Sequence, residues 1–295
     1  MTMTEKTLSY VLITAAKNEA RFIEKTINSV VNQTELPLRW IIINDGSTDN
    51  TGEIIEQYAR KYEWIELIVL PESRERHFGR KAVAFNKGYE RIKNLDFDLI
   101  GNLDADISFD KDYFAFLISK FMVNPRLGVA GTPFREGSRQ YDYRFSRKEH
   151  VSGACQLFRR ECFEEIGGYI PRKEGGVDLA AVLTARIRGW VTETFTEKYC
   201  VHNRPMGKAG PNFVKYTFRS GYGDYQFGVH PLWQFMRSVY QMRGRPLFIT
   251  GALLLSGYVW AMLTGAQYAI PEEVVEFRRK EQQTWLKEYV RKFLS

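Results

Sequence analysis

Apolar and polar positions along this chain follow two alternating rhythms: short, nearly continuous apolar runs, and longer stretches where apolar residues recur every three or four positions. Tyr10 to Ala15 is the first run and reads as a strand. Arg21 to Val31 follows with Phe22, Ile23, Ile27, Val30 and Val31 on one helical face. Arg39 to Ile43 is a second, unbroken apolar run, the pattern expected of a strand covered on both sides. Gly46 supplies a turn, and Asn50-x-x-Glu53 reads as the start of a helix running to about Lys61. Ile65 to Leu70 predicts a third strand, Lys81 to Lys93 a third helix and DLIGNL, ending at Leu103, a fourth strand. Further on come a helix over Tyr113 to Met122 and strands at LGVAGT and ACQLFRR. A short glycine-ended helix at ECFEEIGGY, a helix starting near Asp178, and strands at VTETF and KYCVH complete the series.

Strands alternating with amphipathic helices specify an α/β fold with a mostly parallel sheet and crossover helices. Such sheets bind ligands outside the carboxyl ends of their strands. The fourth strand ends in Asp104 and Asp106, and the second in Asp45, so three carboxylates are expected at one sheet edge. Successive extended residues alternate faces, so the two aspartates of the triplet, Asp104 and Asp106, point the same way. Like charges so placed repel unless something positive lies between them. A divalent cation with a diphosphate would serve, and so would solvation in a strand-to-loop turn.

Composition narrows the partners. With 44% hydrophobic and 26% charged residues over 295 positions the chain is an ordinary globular one with room for a large core. A net charge of +7 and a pI near 9.2 favour an anionic partner: a nucleotide, an acidic lipid surface or nucleic acid. Cys155, Cys162 and Cys200 are too few and too scattered for a disulfide framework or zinc motif, and read as small hydrophobes of a reducing compartment. The run LSYVLITAA is preceded by Lys6 against Glu5, a poor start for a signal peptide, and reads as a strand. GYGDYQFG follows no strand and lacks dinucleotide spacing, and no Walker sequence occurs. The basic and aromatic stretch FREGSRQYDYRFSRKEH comes without a nucleic-acid-binding module, so nucleic acid is not expected and an acceptor-side loop fits better.

The segments ITAAKNEARFIEKTINSVVNQ, IIINDGSTDNT, GRKAVAFNKGYE, NLDADI, GACQLFRRECFEEIGGY and GGVDLAAVLTARIRGW stand in an order and spacing that resembles glycosyltransferase family 2, over about residues 8 to 205. The resemblance implies a nucleotide-diphospho-sugar transferase (GT-A, Rossmann-like) fold and sugar transfer with inversion at the anomeric carbon. It implies that Ala15, Asn18 and Glu19 line a nucleoside pocket and that Asp45 accepts a hydrogen bond from the base. Arg80 and Lys81 would approach the pyrophosphate or ribose, Asp104 would face the ribose, and Asp106 would ligate Mn²⁺ or Mg²⁺. Asp178 would be the general base on the acceptor hydroxyl, with a helix N-cap as its alternative role. Val177 stands where the family often has Glu. His202 is a candidate further metal ligand or a structural histidine, Arg204 a phosphate contact, and His77 reads as a solvated loop residue.

The implied partners are a nucleotide-diphosphate sugar donor and a glycan or lipid-linked acceptor, in cell-surface polysaccharide or glycolipid synthesis. A polyprenyl-phosphate sugar transferase and a non-catalytic sugar-nucleotide-binding subunit are the alternatives. The composition changes near Gly210, dividing a catalytic domain at 1–210 from a helical, hydrophobic extension at 211–295. Leu247 to Ile270 is uncharged and long enough to cross a bilayer. Basic residues flank it on both sides, which disfavours a single crossing. A re-entrant or interfacial hairpin bent near Ser256 and Gly257 would keep both ends cytoplasmic, embedded in or peripheral to the cytoplasmic face, and a buried helical pair packed on the catalytic domain is the alternative.

Overall fold

The computed structural model describes residues 7–72, 79–136, 139–140, 147–172, 175–204, 213–243 and 246–294. The chain forms two compact units, Met1–Met206 and Gly207–Ser295.

The first unit is built on a seven-stranded sheet. Its strands in chain order are β1 (Tyr10–Ala16), β2 (Arg39–Asp45), β3 (Ile65–Leu70), β4 (Leu99–Leu103), then β6 (Leu127–Gly131), β9 (Cys155–Arg159) and β10 (Val191–Thr194). Their spatial order is β10-β6-β9-β4-β1-β2-β3. β1 pairs in parallel with both β2 and β4, and β9 runs antiparallel between β4 and β6. The apolar runs are continuous because alternate residues feed two separate cores. Tyr10, Leu12, Trp40 and Ile42 face α1 (Ile23–Val31), α2 (Thr51–Lys61) and α4 (Tyr113–Val123). Val11, Ile13, Ile41 and Ile43 face α3 (Gly79–Ile92), α5 (Arg160–Glu165) and α6 (Val177–Ile187). The reading of an α/β fold with a mostly parallel sheet and crossover helices therefore holds. All three cysteines are buried and free, and burial pushes the Cys162 and Cys200 thiols up to about 12.

Several local expectations change. A second sheet, in the order β5-β11-β7-β8, joins β5 (Ile107–Ser108), β11 (Cys200–His202), β7 (Phe134–Glu136) and β8 (Arg139–Gln140). Residues 105 and 106 form a turn, so the extended alternation expected of Asp104 and Asp106 does not apply. Asn50 makes no side-chain cap; the Asp49 carboxylate accepts from Thr51 N at 3.1 Å instead. Asp178 does not cap α6 either. The cap is Gly176 at φ 64°, preceded by Gly175 at φ 87°, a left-handed pair that glycine adopts without steric cost. Asp178 thus lies inside the first turn. His77 and most of the stretch 137–146 lie outside the described residues.

The second unit contains α7 (Phe213–Gln226), α8 (Pro231–Gln241), α9 (Ile249–Leu263) and α10 (Glu272–Leu294). GYGDYQFG is the end of α7 and the turn after it. α9 runs straight through Ser256 and Gly257, so the expected hairpin bend is absent. The reason is packing: Gly257 lets α9 lie against the backbone of α7 at Phe218, and a bend there would break that contact. Among the described residues no helix is long and apolar enough to cross a membrane. The uncharged segment 247–270 is divided by the end of α9 at Leu263, which leaves a helix of 15 residues. About 20 are needed to span.

Candidate active site

The carboxyl ends of β1, β2 and β4 form one edge, completed by the residues leading into the antiparallel β9. Asp104 N donates to Ala154 O at 2.9 Å across that edge. Two loops close it on the β1–β2 side. Asn18, in the left-handed region at φ 56°, donates its backbone N to Ser47 Oγ at 3.0 Å and accepts from Thr48 N at 2.8 Å. Glu19 N donates to Thr51 Oγ1 at 2.7 Å. Asparagine tolerates that backbone region better than most residues, which accounts for its place at the bend. Ala15 lies near the end of β1, in register with Ile43 of β2.

Each of the expected carboxylates at this edge has its own cation. Arg80, in the first turn of α3, holds Asp45 in a two-pronged pair, with Nε donating to Oδ2 at 3.0 Å and Nη2 to Oδ1. Lys81 is paired through Nζ with Asp104 Oδ1. Arg204 bridges Glu19 and Asp106, with Nε lying 3.2 Å from Asp106 Oδ2. The repulsion within the Asp-Ala-Asp triplet is therefore answered by two different basic side chains.

The antiparallel pairing of β5 with β11 sets His202 opposite Ile107 and so beside Asp106. His202 Nδ1 bonds to the Arg204 carbonyl oxygen. A carbonyl only accepts, so Nδ1 carries a proton, and in the neutral imidazole Nε2 is the nitrogen with the lone pair. That Nε2 lies 3.5 Å from Asp106 Oδ2. Two acceptors facing each other at this distance suit a shared cation, and a backbone bond to the other ring nitrogen is the usual support of a ligating histidine. Asp106 and His202 therefore fit as two of a cation's ligands, although no three His, Cys, Asp or Glu side chains cluster as a metal site among the described residues.

Asp178 stands across the cleft. A cavity of about 300 Å³ is lined by Asp178 together with Lys81, Asp104, His202, Gly153 and Tyr169. Burial, with the Asp106 and Asp178 charges nearby, pushes the Asp104 carboxyl above its ordinary range against the pull of Lys81. Desolvation pulls the Lys81 ammonium down, but Asp104, Asp178 and Asp106 together raise it above its ordinary value. Glu19 is also pushed up, by burial first and by Asp106 and Asp104, while Arg204 opposes the shift. The edge carries concentrated negative charge, which cations on three sides offset in part.

Sequence reasoning missed the supports of this cleft. Asn203 donates from its backbone N at 2.8 Å and from Nδ2 at 3.0 Å to the Asp106 carbonyl. Asn102 Nδ2 holds Gly153 O at 3.1 Å, and Gln156 Nε2 holds Val151 O at 3.0 Å. Tyr169 OH donates to Gln156 Oε1 at 2.5 Å. Asn102 and Gln156 are buried polar residues in otherwise apolar strands, and that mismatch was the available signal.

Residues 11–172 match the model of a protein family described as glycosyl transferase family 2, more than half of the chain. The chain belongs to glycosyl transferase family 2. This glycosyl transferase is 35% identical over 161 residues to a poly-beta-1,6-N-acetyl-D-glucosamine synthase of Staphylococcus epidermidis, covering 54% of this chain and 34% of that protein. It is 38% identical over 120 residues to the protein of the same name from Staphylococcus aureus strain COL, covering 40% and 27%. The chain thus matches about a third of the length of these relatives. Among solved structures, a mannosyltransferase of Pyrobaculum calidifontis in complex with GDP-Man and Mn²⁺ superposes with a TM-score of 0.59 at 17% identity, covering 97% of this chain and 83% of that one. TarS 1-349 of S. aureus in complex with UDP-GlcNAc superposes with a TM-score of 0.54 at 14% identity, covering 87% and 73%. At these identities the transferase shares their fold.

Proposed function

We propose that the chain transfers a sugar from a nucleotide-diphosphate donor to a hydroxyl of a cell-surface glycan, with inversion at the anomeric carbon. The observation that carries this reading is the shared cleft, in which Asp178 faces the same space as Asp104, Lys81 and His202. Inverting displacement needs a base on the attacking side and charge stabilisation on the leaving side. Asp178 takes the proton of the acceptor hydroxyl as its oxygen bonds to the anomeric carbon. The bond from that carbon to the diphosphate oxygen breaks, and its electron pair leaves with the nucleoside diphosphate. Lys81 and Arg204 offer positive charge to the departing phosphates. Ala15, Asn18, Glu19 and the Asp45–Arg80 pair form the nucleoside end, and Asp104 meets the ribose. Mn²⁺ or Mg²⁺ held by Asp106 and His202 would neutralise charge on the diphosphate. The named synthase relatives and the nucleotide-bound neighbours support the donor and product classes.

The test separates the two sides of the cleft. Asp178→Asn is expected to lower turnover by about a hundredfold to ten-thousandfold with nucleotide affinity nearly unchanged. Asp106→Ala is expected to abolish transfer and the Mn²⁺-dependent part of nucleotide binding, read by calorimetry. Full turnover of Asp178→Asn would remove the base assignment and favour an anionic phosphate acceptor, which has no proton to give up.

A further inference from the structure

In α8 the usual burial pattern is inverted. Gln234 and Ser238 are fully buried at 0% exposure, whereas Leu232, Phe235 and Val239 are 52%, 51% and 41% exposed. The buried pair is spaced i, i+4 and the exposed set i, i+3, i+7, so each lies on one side of the helix. A helix that turns its polar side inward and its apolar side outward is matched to an apolar surrounding. α9 buries no polar side chain, but it too turns an apolar face outward. Leu254, Tyr258 and Ala261 are buried, while Ile249, Trp260 and Leu263 recur at helical spacing on an exposed face. Leu247 and Phe248 lead into that helix, both exposed.

Charge identifies the surrounding. Residues 207–295 carry 12 Lys and Arg against 6 Asp and Glu, so six of the chain's seven net positive charges lie in this unit. Lys215, Arg219 and Arg243 are exposed, and Arg243 follows Val239 by one helical turn. α8 has 11 residues and α9 has 15, too short to span a bilayer. Apolar faces on short helices, a tryptophan among them and surplus positive charge together describe a surface that lies in a headgroup region.

We infer that the exposed faces of α8 and α9 seat the second unit in the plane of an anionic lipid surface, with Leu232, Phe235, Val239 and Trp260 entering the acyl boundary. This goes beyond the transfer reaction and does not depend on it, because binding is read without turnover.

Flotation of the 295-residue chain with phosphatidylglycerol–phosphatidylcholine vesicles, beside phosphatidylcholine vesicles alone, tests the seat. The chain is expected to float with the mixed vesicles and much less with the neutral ones. L232S/F235S/V239S removes exposed side chains only, so circular dichroism should stay unchanged while vesicle affinity drops by about a hundredfold or more. Should that variant lose helical signal, Lys215→Gln/Arg219→Gln/Arg243→Gln takes its place and is expected to abolish the preference for phosphatidylglycerol. Failure of the wild-type chain to float, or equal flotation of the variants, overturns the inference. So does a wild-type dimer in light scattering that the apolar variant splits without any vesicle binding, since a second copy would then cover the face.

Discussion

At Gly153 the space for a side chain is already taken. A β-carbon there would lie 2.3 Å from Asp178 Oδ2 and 2.9 Å from Asp178 Cβ, so the strap 151–153 can pass the carboxylate only as glycine. Asn102 and Gln156 pin that strap from behind, which leaves it little room to retreat. Gly153→Ala must therefore displace Asp178 rather than the strap. A displacement near 1 Å at a reacting group costs roughly a hundredfold, so kcat should fall by about that factor while donor affinity and melting temperature hold. Single-turnover kinetics beside calorimetric nucleotide binding checks this, and an unimpaired Gly153→Ala enzyme would contradict the packing argument. At this scale the sequence was legible where chemistry concentrates: Asp45, Asp104 and Asp106 announced themselves as charges ending apolar runs. The supports did not, because a glycine's role depends on what approaches it, and Asn203 reaches Asp106 from nearly a hundred residues away.

The elements of the first unit were readable because both faces of its sheet are covered, which writes each central strand as an unbroken apolar run. Of the second sheet only β11 was, within the run KYCVH. Its strands have two or three residues, too few for any period, and they exist through partners distant in sequence. α9 was misread for a related reason: an uncharged stretch reports hydrophobicity, while the helix end at Leu263 and the straight passage through Gly257 depend on what lies alongside. The contact between α7 and α9 gives a prediction within one helix. A β-carbon at Gly221 would lie 1.9 Å from the Leu254 carbonyl oxygen, whereas at Gly223 it would meet nothing within 4 Å. Gly221→Ala must push two backbones apart and should lower unfolding free energy by about 1–3 kcal/mol. Gly223→Ala removes the helical penalty of glycine and should raise it by up to about 1 kcal/mol. Urea denaturation followed by far-ultraviolet circular dichroism reads both, and equal signs would mean that α7 and α9 do not approach as described.

Over the whole molecule the charge is divided by task. Residues 1–206 carry 30 Lys and Arg against 29 Asp and Glu, nearly balanced, although they contain the cleft proposed to bind an anionic donor. On that proposal recognition would rest on short-range pairs such as Arg80 with Asp45 and Lys81 with Asp104, whose low exposure or direct contact limits screening. Residues 207–295 hold the surplus, and Lys215, Arg219, Arg243, Lys280, Lys287 and Arg291 are exposed, where attraction to a charged surface acts over a Debye length of about 10 Å at 0.1 M salt and about 3 Å at 1 M. The two activities should therefore part company as salt rises. Between 50 mM and 500 mM NaCl, binding to phosphatidylglycerol vesicles is expected to weaken about tenfold or more, because long-range attraction is lost while apolar insertion persists. Over the same range donor affinity, measured with saturating Mn²⁺, should change by less than about threefold, because contact pairs in a partly enclosed cleft are screened far less. Parallel salt dependences would mean that the basic surface of the second unit also gathers the donor, and the division of charge between the units would then serve one binding event in place of two.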